Sequence, residues 1–177
     1  MKENYSTSNW YVLQVMGGKE NKIVEFIQKL SPVSLTPFLP RKKLKIRKKG
    51  KTKDVIKPLY PGYIFIIGEW NINDAKKIIQ LTGVVKFIGG LLSPGTLKNE
   101  EKEIINKITK DGIAGFSQVI KENTKIKVIS GPLKELEGVI QSVDRRKQKA
   151  IVNLPLLNSI VKVTLGFEYI ESSENEK

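Results

Sequence analysis

The side chains best suited to chemistry in this sequence are cations. Arg41 to Lys53 holds nine basic residues and no acidic one, and a second cluster, Arg145-Arg146-Lys147-Gln148-Lys149, lies much later in the chain. Groups at that density bind phosphate, Arg by meeting two oxygens at once and Lys as a point charge. Catalysis has little to work with. The chain has no Cys and no His, which excludes zinc sites built from those ligands, a Cys nucleophile and a Ser-His-Asp triad. Its carboxylates sit beside Lys or on helical surfaces, not as the isolated pair in apolar surroundings that acid–base chemistry needs. The expectation is a binding protein, not an enzyme, with no cofactor and no metal.

The formal charge of +13 over 177 residues, with pI near 9.8, favours polyanions, nucleic acid ahead of an anionic membrane surface. The charge is uneven: residues 1–108 carry a net +11 and residues 119–172 a net +3. A block such as Arg41–Lys53 repels itself, which predicts a mobile, solvated hairpin or loop. It either touches nucleic acid or only keeps the protein soluble. Met1 to Asn9 lacks the apolar core of a signal peptide, and no apolar run approaches the ~20 residues that span a bilayer. A cytoplasmic protein with no membrane contact is expected.

The elements that must position these groups follow from periodicity. Trp10 to Val15 reads as a strand, broken by Gly17-Gly18. Ile23, Phe26, Ile27 and Leu30 then mark one face of a helix from Lys19 to Leu30, with Lys19 and Lys22 in water and Ser31-Pro32 as its end. Short extended pieces, Ser34–Leu39 and Asp54–Lys57, flank the basic block. Pro61-Gly62 is a turn signal, and Tyr63-Ile64-Phe65-Ile66-Ile67 after it is a strand apolar on both faces. Tyr63, Phe65 and Ile67 share one face, Ile64 and Ile66 the other. The second face is covered either by the protein's own helices and loops or by a partner.

Further on, Asn73 caps a helix through Gln80 whose apolar side is Ala75, Ile78, Ile79 and Leu81; Val84–Ile88 is a strand; and Asn99 caps a helix from Glu100 to about Lys110. Asp111–Gln118 has small residues and no period, so it reads as linker. Beyond it, strands at Ile126–Ile129, Gly138–Val143, Ala150–Leu154 and Ser159–Leu165, with turns at Gly131-Pro132, Asp144–Gln148 and Pro155, describe a small β-barrel. Ser172–Lys177 is a polar tail expected to be disordered. The fold class is α+β: a mainly antiparallel sheet with flanking helices, then an all-β barrel.

Taken in order, Trp10-Tyr11, Leu59-Tyr60-Pro61-Gly62-Tyr63, Gly83-Val84 leading to Phe87-Ile88-Gly89-Gly90, and Val128-Ile129-Ser130-Gly131-Pro132-Leu133 followed by Glu137-Gly138-Val139-Ile140 resemble the blocks of a NusG-type transcription factor over nearly the whole chain. The last pair is similar to a KOW motif. The resemblance implies an NGN domain (8–109) that binds RNA polymerase, a linker (110–121) and a KOW barrel (122–172) that recruits something else. It places Tyr63 and Phe65, with Gln14, Leu59 and Tyr60 beside them, against the clamp coiled coil of the polymerase's largest subunit. Asn71 to Asp74, Asn73 among them, would face the other jaw of the cleft, and bridging both jaws would suppress pausing. Lys19, Lys22 and the basic block, including Arg41, Lys42, Lys43 and Arg47, would lie toward upstream DNA, where phosphate contacts carry no sequence information.

Two departures bear on function. Where general NusG carries a Phe-Gly-Arg-like step that meets Rho or a ribosomal protein, this chain reads Leu154-Pro155-Leu156-Leu157-Asn158, and the turn at Asp144–Lys149 is unusually basic. With the high charge, this resembles the LoaP subfamily of specialised antiterminators, whose KOW domain recognises a hairpin in nascent leader RNA. It is less like the RfaH subfamily, whose barrel refolds as helices, because the β-branched residues here disfavour helix. Lys134, Arg145, Arg146, Lys147, Lys149 and Lys162 are the candidate RNA contacts, against the reading of an ordinary charged turn. Three functions follow: a monomeric antiterminator recruited to particular operons by RNA, a general elongation factor coupling polymerase to Rho or the ribosome, or a plain RNA-binding module. The last leaves the apolar strand unexplained.

Overall fold

The computed structural model describes residues 8–30, 34–123 and 125–171. The strands are β1 (Trp10–Val15), β2 (Thr36–Phe38), β3 (Arg41–Lys48), β4 (Lys51–Pro58), β5 (Tyr63–Ile67), β6 (Val84–Phe87), β7 (Ile113–Ala114), β8 (Ser117–Glu122), β9 (Lys125–Ser130), β10 (Ile140–Asp144), β11 (Lys149–Leu156) and β12 (Ser159–Tyr169). The helices are α1 (Glu20–Lys29), α2 (Ile72–Ile79) and α3 (Asn99–Ile108). Contacts divide the chain into two units. One takes in the described residues up to Pro40, Tyr60–Glu103 and Leu156–Ser159; the other takes in Arg41–Leu59, Ile104–Pro155 and the described residues from Ile160. The basic hairpin therefore groups with the second unit.

The first unit is a sheet in the order β2-β5-β1-β6, antiparallel throughout. Strand alternation sorts its side chains. Tyr11, Leu13 and Val15 of β1, Ile64 and Ile66 of β5 and Phe87 of β6 pack with Ile23 and Ile27 of α1 and Ala75 and Ile78 of α2. Each Ile fully buried there contributes about 1.5–3 kcal/mol. The i, i+4 spacing of Ile23 and Ile27 puts both on one helix face, as the sequence pattern predicts. Asn71, not Asn73, caps α2: its side-chain oxygen accepts the N–H groups of Asn73 (2.9 Å) and Asp74 (3.2 Å). The helix thus starts earlier than expected and ends before Leu81. At α3, Asn99 is already helical, and the Glu101 carboxylate reaches back to the Lys98 N–H at 2.7 Å, the return half of a capping box.

In the second unit β4-β3-β7 form one sheet and β10-β11-β12-β8-β9 a five-stranded one. The basic segment, expected as a mobile, solvated hairpin or loop, is a hairpin with a regular ladder, eight residues of β3 paired to eight of β4. Lys49 and Gly50 at its tip both have positive φ (50° and 76°), as a two-residue hairpin turn requires. Asp111–Gln118, read as linker, contains β7 and the start of β8; β7 pairs parallel to β3, and the Arg41 N–H donates to Gly112 O at 2.8 Å. One strand start and one turn assignment change. Residues Lys134–Val139 form a 3-10 helix where a strand was expected to begin. Pro155 lies inside β11, and the chain reverses at Leu157-Asn158, with Leu157 at φ 55°. The KOW-like Gly131 has φ +89°, and a Cβ there would come within 2.7 Å of the Ser117 Cα. Ser117 Oγ accepts the Leu133 N–H at 2.9 Å and fixes that corner from inside. Ser31-Pro32 and the tail Ser172–Lys177 lie outside the described residues. Among those described, no helix is long and apolar enough to cross a membrane.

Candidate functional site

Two surfaces collect the residues singled out by sequence. In the first unit, Tyr60-Pro61-Gly62-Tyr63 closes as a type II turn: the Tyr63 N–H donates to Tyr60 O at 3.1 Å, and Gly62 sits at φ +84°. Gly62 O accepts the Val15 N–H at 2.8 Å, and the Gly62 N–H donates to Glu20 Oε1 at 2.9 Å. Glu20 is 3% exposed. The first turn of α1 thus pins the Pro-Gly turn through a buried carboxylate. From that corner β5 runs beside β1 with Gln14 opposite Tyr63, both half-buried and on the same face.

Two residues further along that face lies Phe65, at 1% exposure. The rings of Trp10 (centroids 5.8 Å apart) and Tyr60 (5.6 Å) close around it, and Phe38 packs edge-on to Trp10 at 5.2 Å. Leu59 and Tyr60 are buried as well. This corrects the set of contact residues read from sequence: Leu59, Tyr60 and Phe65 have no surface to offer, while Gln14, Tyr63 and Asn73 do. The reason is depth along the strand. Tyr63 stands at its mouth and Phe65 in the middle, under two other rings. Burial pushes the Tyr60 phenol pKa up, and the Glu101 carboxylate adds to the shift. Behind Asn73, the Asp74 carboxylate accepts both the N–H (2.9 Å) and the hydroxyl (3.1 Å) of Ser34, which with Lys77 holds its pKa below the ordinary range.

The second surface is a groove of about 680 Å³ in the second unit, lined by Lys45, Arg47 and Thr52 of the hairpin and by Arg146, Lys147 and Lys149. Asp144, outside the lining, staples the turn that carries Arg146 and Lys147: its carboxylate accepts the Lys147 N–H at 2.9 Å and lies 3.5 Å from the Lys147 ammonium. That local bond makes a tight Asx-type turn, ending at Gln148 with φ 52°. The same bonds hold the Asp144 pKa down. Lys45 is committed elsewhere, to Glu168 at 2.8 Å and Asp54 at 3.6 Å. Among the described residues, Arg47, Arg146 and Lys149 have no carboxylate partner, and none lines the groove.

Lys42, expected to face DNA, is 4% exposed. Period-two alternation puts it with Leu44 on the inward side of β3, where its ammonium donates to Leu59 O at 3.2 Å. Burial, with the charge of Lys149 second, lowers its pKa to about 8. Lys43 is exposed, Arg41 half-buried, and Lys19 and Lys22 lie exposed on or beside α1, Lys22 over the Phe26 ring at 5.5 Å. Arg145, Lys134 and Lys162 are exposed but do not line the groove, and Lys134 pairs with Glu137 at 3.0 Å.

The family model described as "Transcription termination factor nusG" matches residues 8–106, more than half of the chain. The chain belongs to the NusG family. NusG of Rickettsia prowazekii, a transcription termination/antitermination protein, is 24% identical over 96% of this chain and 92% of its own length. The protein of the same name from Streptococcus pyogenes serotype M3 is 26% identical over 88% and 92%. The solved structure described as domain interaction in Thermotoga maritima NusG shares the fold, with a TM-score of 0.54 at 22% identity, covering 90% of this chain and 94% of that one. As a NusG-family member the chain is a transcription factor of α+β class, an antiparallel sheet with flanking helices followed by a KOW-type small barrel.

Sequence reasoning missed Glu20, whose place in a first helical turn signalled only a favourable helix-dipole charge.

Proposed function

We propose that this NusG-family protein is an antitermination and processivity factor that holds RNA polymerase through its NGN domain (8–109). Nascent leader RNA bound by its KOW barrel (122–172) would recruit it to particular operons, as in the LoaP subfamily. The observation that carries the reading is the basic turn of the barrel: Arg145 and Arg146 stand exposed and without carboxylate partners among the described residues, on a turn stapled by Asp144. Arginines held that way suit phosphates and guanine edges. Polymerase contact falls to Tyr63, Gln14 and Asn73, with Phe65 and Tyr60 shaping the patch from beneath. Lys19, Lys22, Arg41 and Lys43 add non-specific attraction to upstream DNA.

A gel shift of the full chain with leader RNA tests this. Changing Arg145 and Arg146 together to Ala should weaken binding and flatten its salt dependence by roughly 0.7–0.9 in log–log slope per lost phosphate contact. Unchanged affinity would remove the proposal.

The second reading is a general factor that couples polymerase to Rho or the ribosome. The near-full-length match to proteins named for both termination and antitermination favours it. Co-purification of the full chain with Rho or a small-subunit ribosomal protein, independent of RNA, would decide for that reading.

A further inference from the structure

Arg47 and Arg146 lie on different hairpins and enter the sequence reading as ligands of different nucleic acids, yet they line the same groove. We propose that the groove between the β3–β4 hairpin and the β10–β11 turn is a single seat for the phosphodiester backbone of RNA, so that Lys45 and Arg47 belong with Arg146, Lys147 and Lys149 to one site. The inference rests on the RNA-recruitment reading and extends it to the hairpin.

Three observations carry it. The groove is lined by five cations and no carboxylate, and Arg47, Arg146 and Lys149 lack carboxylate partners among the described residues. Lys45 and Lys147 already have carboxylate partners, but the charges of Arg47, Arg146 and Lys149 repel one another until an anion enters. Spacing is the second observation: Lys45 and Arg47 are alternate residues of one strand, about 7 Å apart on the same face. That is comparable to the step between successive phosphates along a strand, so the wall presents a row and not a point. The third is size. At about 680 Å³ the groove has the dimensions of a small-ligand cleft and takes a few nucleotides of one strand. A flat lipid surface cannot enter a concavity between two hairpins, and a DNA duplex is too wide for it. A nascent transcript supplies single strands.

Anisotropy titrations of the full chain with a labelled 12-nucleotide single-stranded RNA and a 12-base-pair DNA duplex, over a range of salt, provide the test. Both Arg47 and Arg146 are exposed, so Arg47→Ala and Arg146→Ala leave the fold in place. Each should weaken single-stranded RNA binding about fourfold at 0.15 M salt and flatten the log–log slope by about 0.7. Lys57→Ala, which removes an exposed cation of the same hairpin outside the groove, should match the unaltered protein. If Arg146→Ala weakens RNA binding while Arg47→Ala behaves like Lys57→Ala, or if Arg47→Ala weakens only the duplex, the single-groove inference is overturned and the RNA reading stands. If neither arginine matters to single-stranded RNA, or the protein does not bind it, the single-groove inference is overturned. The leader-RNA reading falls with it only if the gel shift with leader RNA fails as well.

Discussion

The strand after Pro61-Gly62 and the turn after Asp144 are the two stretches whose composition pointed to partners, and the fold treats them in opposite ways. Along β5 the apolar face runs inward, so that Tyr63 keeps some surface while Phe65 is enclosed by Trp10 and Tyr60. At the β10–β11 turn Arg145, Arg146 and Lys147 all remain exposed. The difference lies in the solvation of the groups. An apolar ring gains free energy from any cover, its own protein's included, so an apolar pattern does not say who supplies the cover. An unpaired guanidinium is too costly to bury, so a cationic cluster declares its own exposure. Lys42 marks the limit of that rule: it is buried, and its depressed pKa records the penalty.

The sharpest way to break the comparison is to truncate the two rings of β5 separately. Phe65→Ala should cost about 3–5 kcal/mol in urea unfolding, as deletion of a fully buried ring does. Tyr63→Ala should cost about 1 kcal/mol yet abolish association with RNA polymerase in a pull-down. Equal stability losses would erase the distinction between core ring and contact ring.

Next comes the buried cation. The Lys42 pKa is lowered, so the unfolded chain holds that proton more tightly than the folded one. The charge penalty is complete below about pH 8, and stability should rise as pH increases through about 8 toward the ordinary value of 10.5. The expected change is up to about 3 kcal/mol, measured by denaturant unfolding between pH 8 and 10. Lys42→Met should lack that rise. Above pH 10 the raised pKa of Tyr60 acts in the opposite sense, because the unfolded phenol then ionises while the buried one does not.

Removing the buried carboxylate that pins the Pro-Gly turn should have a smaller effect. Glu20→Ala leaves the Gly62 N–H without its acceptor, at about 1–3 kcal/mol, and hydrogen exchange at Gly62 should speed up. Polymerase association should weaken with it although Glu20 itself is buried; unaltered exchange at Gly62 would separate the carboxylate from the turn. The smallest stability effect belongs to Arg146→Ala, within about 0.5 kcal/mol for an exposed site, beside a clear loss of RNA affinity. A large destabilisation there would make the turn structural.

Much of the fold was legible because periodicity and punctuation are local. Trp10–Val15, the Ile23/Ile27 helix face, the Pro61-Gly62 turn and most barrel strands follow from spacing and turn residues. The errors came where neighbours in space outvote neighbours in sequence. Ile113-Ala114 looks like linker until β3 pairs with it, and Pro155 looks like a turn although β11 continues through it. Asn73 was read as the cap of the second helix, and the bonds that the Asn71 side chain accepts from the Asn73 and Asp74 N–H groups make it Asn71 instead. Of the candidate site residues, Tyr63, Gln14, Arg146 and Lys149 keep surface, whereas the fold removes that of Phe65, Tyr60, Leu59 and Lys42.

What the sequence by itself determined was composition and order: a strongly basic chain without Cys or His, an aromatic strand behind a Pro-Gly turn, and a β-rich second half with a cationic turn. Tertiary structure decided which of two rings keeps its surface, which lysine loses its water, and that Arg47 and Arg146 line the same groove. Burial and adjacency are sums over residues distant in the chain, and a one-dimensional pattern contains no term for them.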